Sequence, residues 1–341
     1  MEHNKLTNLY YLIENADWSI KWDGYYITKH INKLNKNIIA KTEIRFDHIR
    51  DSILHFGSRN IYLPDNFKNI HHSNKVVFTW FHGTPDDLDY IRSLPEGSKR
   101  ADKIHTSCEI SKNQLINWGA EPQKIIQVPI GVDVELFKPY NALIKFLIRK
   151  IIGIPKGYKV IGSFQKDGNG WEDGLTPKLI KGPDIFCDVL DQLNKKEKIF
   201  VLLSGPARGY VIKRLKKSNV KFKHFYLTNY RKLPFLYNAI DLYLVTSRAE
   251  GGPKAITESM ACKIPVISTK VGMAPEVIIN GENGFCVEIE DVNQLVNKSI
   301  LLLNDMILNN HFIENGYETV KNYAWNKIAN MYYERIYKDL V

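Results

Sequence analysis

No stretch of the 341 residues approaches the roughly 18 consecutive apolar positions that a spanning helix requires, so a helical membrane span is not expected. Cysteine is scarce. Cys108, Cys187, Cys262 and Cys286 are scattered without a CxxC pair, which argues against a disulfide framework or a zinc knuckle and points to buried free thiols. No GxGxxG opens the first strand–helix unit, which counts against a dinucleotide-dependent dehydrogenase. Low-complexity tracts and repeats of solenoid period are also missing. The opening Met1-Glu2-His3-Asn4-Lys5 lacks the charged-then-apolar layout of a secretion signal, and a cytoplasmic protein is expected.

What is present fits a folded globular protein, with 44% hydrophobic and 25% charged residues. The length suggests two domains of about 150 residues each. A formal net charge of +10 calls for an anionic partner: nucleotide phosphate, an anionic membrane surface, an acidic glycan or nucleic acid. Charge alone does not choose among them.

Two series of apolar runs alternate with helical patterns. The first contains Leu9–Ile13, then a loop holding Trp18, Trp22 and Gly24 and a helix through Ile31 and Leu34, then strands at Asn37–Ala40, Ser52–Phe56, Lys75–Trp80 and Lys103–Thr106. The second has strands at Val160–Gly162, Ile199–Leu203, Phe222–Leu227, Asp241–Val245, Pro265–Ser268 and Gly284–Val287. Such continuous apolar character marks strands covered on both faces, as in a parallel sheet. Two doubly wound α/β domains follow, joined near Pro129–Pro139, with a last helix over Tyr323–Val341 whose inner side carries Trp325, Ile328, Met331, Tyr332 and Ile336.

The segment Thr246-Ser247-Arg248-Ala249-Glu250-Gly251-Gly252-Pro253-Lys254 leaves an apolar strand, passes paired glycines and opens a helix with Pro253 near its first position. Backbone N–H groups and the positive end of a helix dipole, beside a loop without side-chain bulk, make a cradle for a diphosphate. Glu250 and Glu258 are separated by seven residues, one on the loop and one in the helix. The helical carboxylate can accept two hydrogen bonds from a ribose diol, and the loop carboxylate can reach a sugar hanging from the phosphates.

These residues, with Met260–Ile267, Val271-Gly272-Met273-Ala274-Pro275-Glu276, Asn280-Gly281-Glu282-Asn283-Gly284-Phe285 and Val128-Pro129-Ile130-Gly131-Val132-Asp133, form an ordered set that resembles a large family of retaining glycosyltransferases. The family is family 4, glycosyl transferases group 1. Its GT-B fold has two facing Rossmann-like, doubly wound domains with a cleft between them. The resemblance covers most of residues 128 to 341 and, more weakly, the N-terminal part. It implies an acceptor-side domain over residues 1–135 with a returning helix at 325–341, and a donor-binding domain over residues 136–324.

By resemblance Glu258 serves the donor ribose, Glu250 the donor sugar and Lys181 of Lys181-Gly182 the diphosphate. His82, in Trp80-Phe81-His82-Gly83, is placed toward the donor sugar, with His55 and Ser58 as weaker candidates. Ser163, Lys166, Gly251, Gly252, Pro253 and Lys254 complete the substrate-binding set. The family's arginine soon after the glycine that ends the strand is missing, since Gly162 is followed by Ser163-Phe164-Gln165-Lys166, and Lys166 is the candidate for its charge. The longer loop Asp167–Leu179, with Gly168, Gly170, Trp171 and Gly174, is a lid, an acceptor element or a surface insertion.

The resemblance therefore implies an enzyme that moves a hexose-type sugar from a UDP- or GDP-linked donor to a glycan or lipid-linked acceptor. Retention, no cofactor, no essential metal and no nucleic-acid partner go with it. The acid-free stretch Lys138–Lys159 is either a peripheral contact with an anionic membrane or a connecting helix packed on the core. Rival readings are a nucleotide-sugar epimerase or sugar-phosphate synthase on the same fold and, in another class, a non-catalytic polyanion-binding protein.

Overall fold

The computed structural model describes residues 6–15 and 19–341; the opening Met1–Lys5 segment and Trp18 lie outside the described residues. The chain divides into two compact units, Met1–Gly131 with Tyr323–Val341, and Val132–Asn322.

The first unit is built on β1 (Thr7–Leu12), β2 (Ile38–Glu43), β3 (Ile53–Phe56), β4 (Lys75–Thr79), β5 (Lys103–Thr106) and β6 (Ile125–Gln127). They form one sheet in the order β2-β1-β3-β4-β5-β6, and every pairing is parallel. All four residues of β3 are buried, as expected of a strand covered on both faces. The loop expected around Trp22 and Gly24 is instead part of the helix Ser19–Ile31. The reason is contact: a Cβ on Gly24 would lie 2.8 Å from the Tyr11 ring and 2.9 Å from Ile13, so glycine lets this helix press onto β1. β6 is too short to stand out as an apolar run.

The second unit holds β7 (Lys159–Phe164), β8 (Ile199–Ser204), β9 (Lys221–Phe225), β10 (Leu242–Val245), β11 (Val266–Thr269) and β12 (Phe285–Val287). Its order is β12-β11-β10-β7-β8-β9, again all parallel. All six residues of β8 are buried. Against it the helix Pro183–Leu193 buries Ile185, Phe186, Val189, Leu190 and Leu193, one stripe at helical spacing. Each such side chain contributes roughly 1.5–3 kcal/mol relative to exposure. At the edge, β9 exposes Lys221 and Lys223, charges that discourage further strand pairing. Successive connections leave β7 and β10 in opposite directions, so the switch point of the sheet lies between these two neighbours.

The last segment is not one regular helix. An α-helix over Trp325–Tyr332 widens into a π-turn at Tyr333–Tyr337 and tightens into a 3₁₀ turn at Lys338–Leu340. Trp325 stacks on Tyr26 at 5.4 Å and lies so close to Gly131 that a Cβ there would be 2.5 Å from the indole. Among the described residues no helix is long and apolar enough to cross a membrane.

Candidate functional site

At the switch point of the second unit, the loops after β7 and β10 meet the 3₁₀ turn Leu179–Lys181. Gly182 has φ of +61°, and a Cβ on it would fall 1.9 Å from the Thr246 carbonyl oxygen, so only glycine permits the contact. Thr246 Oγ1 donates to the Gly182 carbonyl at 2.9 Å, while the N–H groups of Arg248 and Ala249 donate to the Ile180 carbonyl. This clamp carries Lys181 onto the loop glutamate. Lys181 Nζ lies 2.6 Å from Glu250 Oε2, and Ser247 Oγ donates to Glu250 Oε1 at 2.9 Å. Arg248 looks the other way, paired with Asp184 and Glu290. Burial works against the Asp184 charge, yet Arg248 holds that carboxyl below its usual range.

Behind Glu250 the paired glycines are braced from the far side. The Gly251 carbonyl accepts from Met273 N–H at 2.9 Å, and Gly272, with φ of +50°, has no room for a Cβ, which would lie 2.2 Å from the Gly251 oxygen. The helix that follows is Lys254–Ala261, with Pro253 at its cap position rather than inside the first turn. No side chain caps it, and the positive end of its dipole lies at the paired glycines.

Glu258 lies deeper, at 4% exposure. The phenol of Tyr230 donates to Oε1, and that of Tyr237 donates to Oε2 at 2.7 Å. Burial and the adjacent Glu258 charge push the Tyr237 phenol well above its ordinary pKa, so it remains a donor. A carboxylate offers about four lone-pair directions, so the two phenols do not by themselves exhaust it. Neither tyrosine was singled out from sequence, since they stand 28 and 21 residues from Glu258 and only folding brings them together.

The sequence also gave no hint of Arg208. It is 1% exposed and donates through Nη1 to the carbonyls of Ser163, Gln165 and Ser204, and through Nη2 to Ser163 Oγ. Its Nε lies 3.0 Å from Asp167, whose carboxyl is raised by burial and drawn partly back by Arg208. Ser163 thus spends its hydroxyl on the scaffold. Lys166 sets its ammonium 3.7 Å from the Trp171 ring centroid, a cation–π contact, and burial lowers its pKa. Gln165 Nε2 donates to the Lys181 carbonyl at 3.3 Å, linking this loop to the Lys181 clamp.

The insertion after Lys166 is tied down at its base. Lys178 N–H donates to Asp167 and Asn169 N–H to Thr176, while the carbonyls of Asp173 and Gly174 accept from Gly209 and Tyr210 at the start of the helix Gly209–Lys217. These bonds make the loop a hairpin-like flap, with Trp171 exposed.

In the first unit, His82 follows β4 and is half-buried, next to Gly83, which admits the Arg59 guanidinium. Arg59 lies over Trp80 at 4.5 Å and Tyr90 at 4.6 Å and pairs with Asp87 at 2.9 Å. His55 has a structural surrounding. Its Nδ1 meets the Tyr337 hydroxyl at 2.5 Å and its Nε2 meets Thr79 Oγ1 at 2.8 Å; Thr79 continues to His105 Nδ1 at 3.0 Å. Burial holds both imidazoles below their ordinary pKa, His105 down to about 4, so they are neutral. Ser58 caps the short turn Arg59–Ile61 through Asn60 N–H.

Residues 175–319 match the family described as Glycosyl transferases group 1. The chain is 30% identical over 288 residues to N-acetyl-alpha-D-glucosaminyl L-malate synthase of Bacillus anthracis, covering 78% of this chain and 68% of that protein. It is 27% identical over 233 residues to the Escherichia coli UDP-Gal:alpha-D-GlcNAc-diphosphoundecaprenol alpha-1,3-galactosyltransferase, covering 63% of this chain but only 56% of that protein. Among solved structures, Anabaena HepE in complex with UDP-glucose superposes with a TM-score of 0.79 over 96% of this chain and 98% of that one, at 15% identity. That likeness speaks for the fold, two six-stranded parallel sheets of the GT-B class.

Proposed function

We propose, starting from a chain that belongs to the glycosyl transferases group 1 family and is a glycosyltransferase, that it moves a hexose-type sugar from a UDP- or GDP-linked donor to a glycan or lipid-linked acceptor with retention. The observation that carries this reading is the Lys181–Glu250–Ser247 cluster beside Gly251-Gly252 at the sheet's switch point, where open α/β sheets bind their ligands. The Escherichia coli relative is named for UDP-Gal and Anabaena HepE was solved with UDP-glucose, which supports a nucleotide sugar here.

In the proposed reaction the bond from the anomeric carbon to the diphosphate oxygen breaks first. The electron pair leaves with the diphosphate, and the acceptor hydroxyl then attacks from the same face and gives its proton to the departing diphosphate oxygen. Lys181, with Lys166 and the amides of Gly251, Gly252 and Lys254 beyond Pro253, stabilises the growing charge of the leaving group. Lys181 would exchange its Glu250 partner for the diphosphate, freeing Glu250 to accept from the sugar hydroxyls. Glu258 holds the ribose diol, Ser163 supports the loop, and His82 is assigned a hydrogen bond to the donor sugar. Glu250 is not given the role of a nucleophile, and no metal or cofactor is invoked.

The enzyme is placed at the cytoplasmic side, with peripheral contact to an anionic membrane where lipid-linked acceptors reside. The test is product analysis with a radiolabelled UDP- or GDP-hexose. Label that moves to a glycan or lipid acceptor supports the reading; label that stays on the nucleotide points to an epimerase.

A further inference from the structure

The helix Ala142–Ile152 turns apolar side chains to solvent. Leu143 is 66%, Phe146 62% and Ile151 84% exposed, and Ile144 and Leu147 are exposed as well. Only Ile148 and Ile152 are buried. Positions 143, 146, 147, 150 and 151 share one helical face by their three- and four-residue spacing. The opposite side is anchored, with Arg149 Nε on the Ala239 carbonyl at 2.9 Å and Nη2 on Asp241 at 2.6 Å. Asn141 caps the first turn through Ile144 N–H, and Gly153, in the left-handed region, closes the last. The outward face is therefore held in place and not the result of a frayed end.

Beside this helix lies a cavity of about 330 Å³ lined by Lys145, Lys159, Lys263, Asp241 and the 78% exposed Met306. Lys159 and Lys263 have counterions in Glu197 and Glu314. By contrast residues 138–159 contain no carboxylate at all, while Lys145, Lys150 and Lys156 stand on the helix or just after it. Lys159 opens β7 and Asp241 precedes β10, so this pole faces away from the carboxyl ends of the strands that carry Lys181 and Glu250.

We propose that this pole of the second unit is a docking surface for an anionic lipid bilayer. Leu143, Phe146, Leu147 and Ile151 enter the boundary between headgroups and acyl chains, and Lys150 and Lys156 meet the lipid phosphates. A second copy of the chain is a poorer occupant, because a two-fold contact would bring these same lysines together with no acid to answer them. Docking on this pole leaves the carboxyl edge of the sheet open to the donor. The inference gives the peripheral membrane contact proposed above its surface and rests on that reading, but not on the donor chemistry.

The test is co-sedimentation of the full chain with phosphatidylcholine vesicles, with and without phosphatidylglycerol. Binding is expected only to the anionic vesicles. Phe146→Glu together with Ile151→Glu should weaken it at least about tenfold through lost apolar burial. Lys150→Gln together with Lys156→Gln should weaken it roughly fivefold per lysine. All four positions face solvent, so circular dichroism should not change; UDP binding, read separately by calorimetry, tells loss of docking apart from loss of donor binding. Absence of binding to anionic vesicles, or binding that survives both double variants, would overturn the proposal. So would a concentration-dependent dimer that Phe146→Glu abolishes while vesicles are ignored.

Discussion

Each unit contains a buried polar network, and the two are built from opposite chemistry. In the first, His55, His105, Thr79, Tyr332 and Tyr337 are neutral and hydrogen-bonded chiefly to one another, fastening the last segment of the chain to β3, β4 and β5. In the second, Lys181, Glu250, Glu258, Arg208 and Asp167 are gathered at the switch point as acids and bases with partners. Neutral groups cost little to bury once hydrogen-bonded, whereas charges are costly and tend to be kept where charge is needed. A histidine at a strand of such a sheet is therefore not by itself a sign of a ligand. His55 is the example.

The contrast is broken most severely at Arg208. Arg208→Ala leaves Asp167 without its guanidinium and three carbonyls without their donor, and should cost about 3–5 kcal/mol in chemical denaturation. A loss below about 1 kcal/mol would mean that this ion pair is solvated and not part of the scaffold.

Acid separates the two networks next. His55 and His105 have folded pKa values below that of the unfolded chain, so the unfolded state binds protons first as pH drops. Their contribution is complete above about pH 6.5 and is lost toward pH 4, on the order of 3 kcal/mol for His105 alone. Denaturation midpoints at pH 7.5 and pH 5 (roughly one unit above and one and a half below the ordinary histidine pKa) check this. A midpoint that stays constant between them would show that the imidazoles are reached by water.

Lys181→Ala tests the charged network at the residue assigned to the diphosphate. Removing one group that stabilises a leaving oxyanion costs about a hundredfold in kcat, while the fold should lose about 1–3 kcal/mol, less than at Arg208, because the pair is only partly shielded from water. Steady-state kinetics at saturating donor beside a thermal melt reads both. Normal turnover would place the neutralising charge elsewhere.

How much of this was legible beforehand follows from what each feature depends on. The parallel strands showed in sequence because burial on both faces leaves apolar runs such as Ile199–Leu203, and the glycine loop showed because its residue types are contiguous. The three residues of β6 were too few to register, and Gly24 was placed in a loop because its close approach to Tyr11 is a tertiary fact. The aromatic setting of Glu258 was hidden for the same reason. Tyr230 and Tyr237 lie in an aromatic-rich segment, but nothing in its pattern aims them at a carboxylate. Likewise the loop after Lys166 stayed open between lid, acceptor element and surface insertion, since the hydrogen bonds that hold it come from Gly209 and Tyr210.

Those tyrosines give the smallest expected effect. Tyr230→Phe removes one donor that orients Glu258 and should weaken UDP or GDP binding by about 0.5–1.5 kcal/mol in calorimetry, with stability nearly unchanged. Tighter binding in the variant would show that the phenol competes with the ribose.

The central claim is that the charged network of the second unit is a nucleotide-diphosphate site. Isothermal titration of UDP and GDP into the wild type and into Glu258→Gln tests it most directly. The substitution keeps shape and size but replaces the charged acceptor, and it should weaken binding by roughly 1–3 kcal/mol, with the melt lowered only by the one tyrosine hydrogen bond the amide cannot accept. Equal affinity of the two proteins for the nucleotide, or no binding by the wild type at concentrations where its fold is intact, would contradict the account.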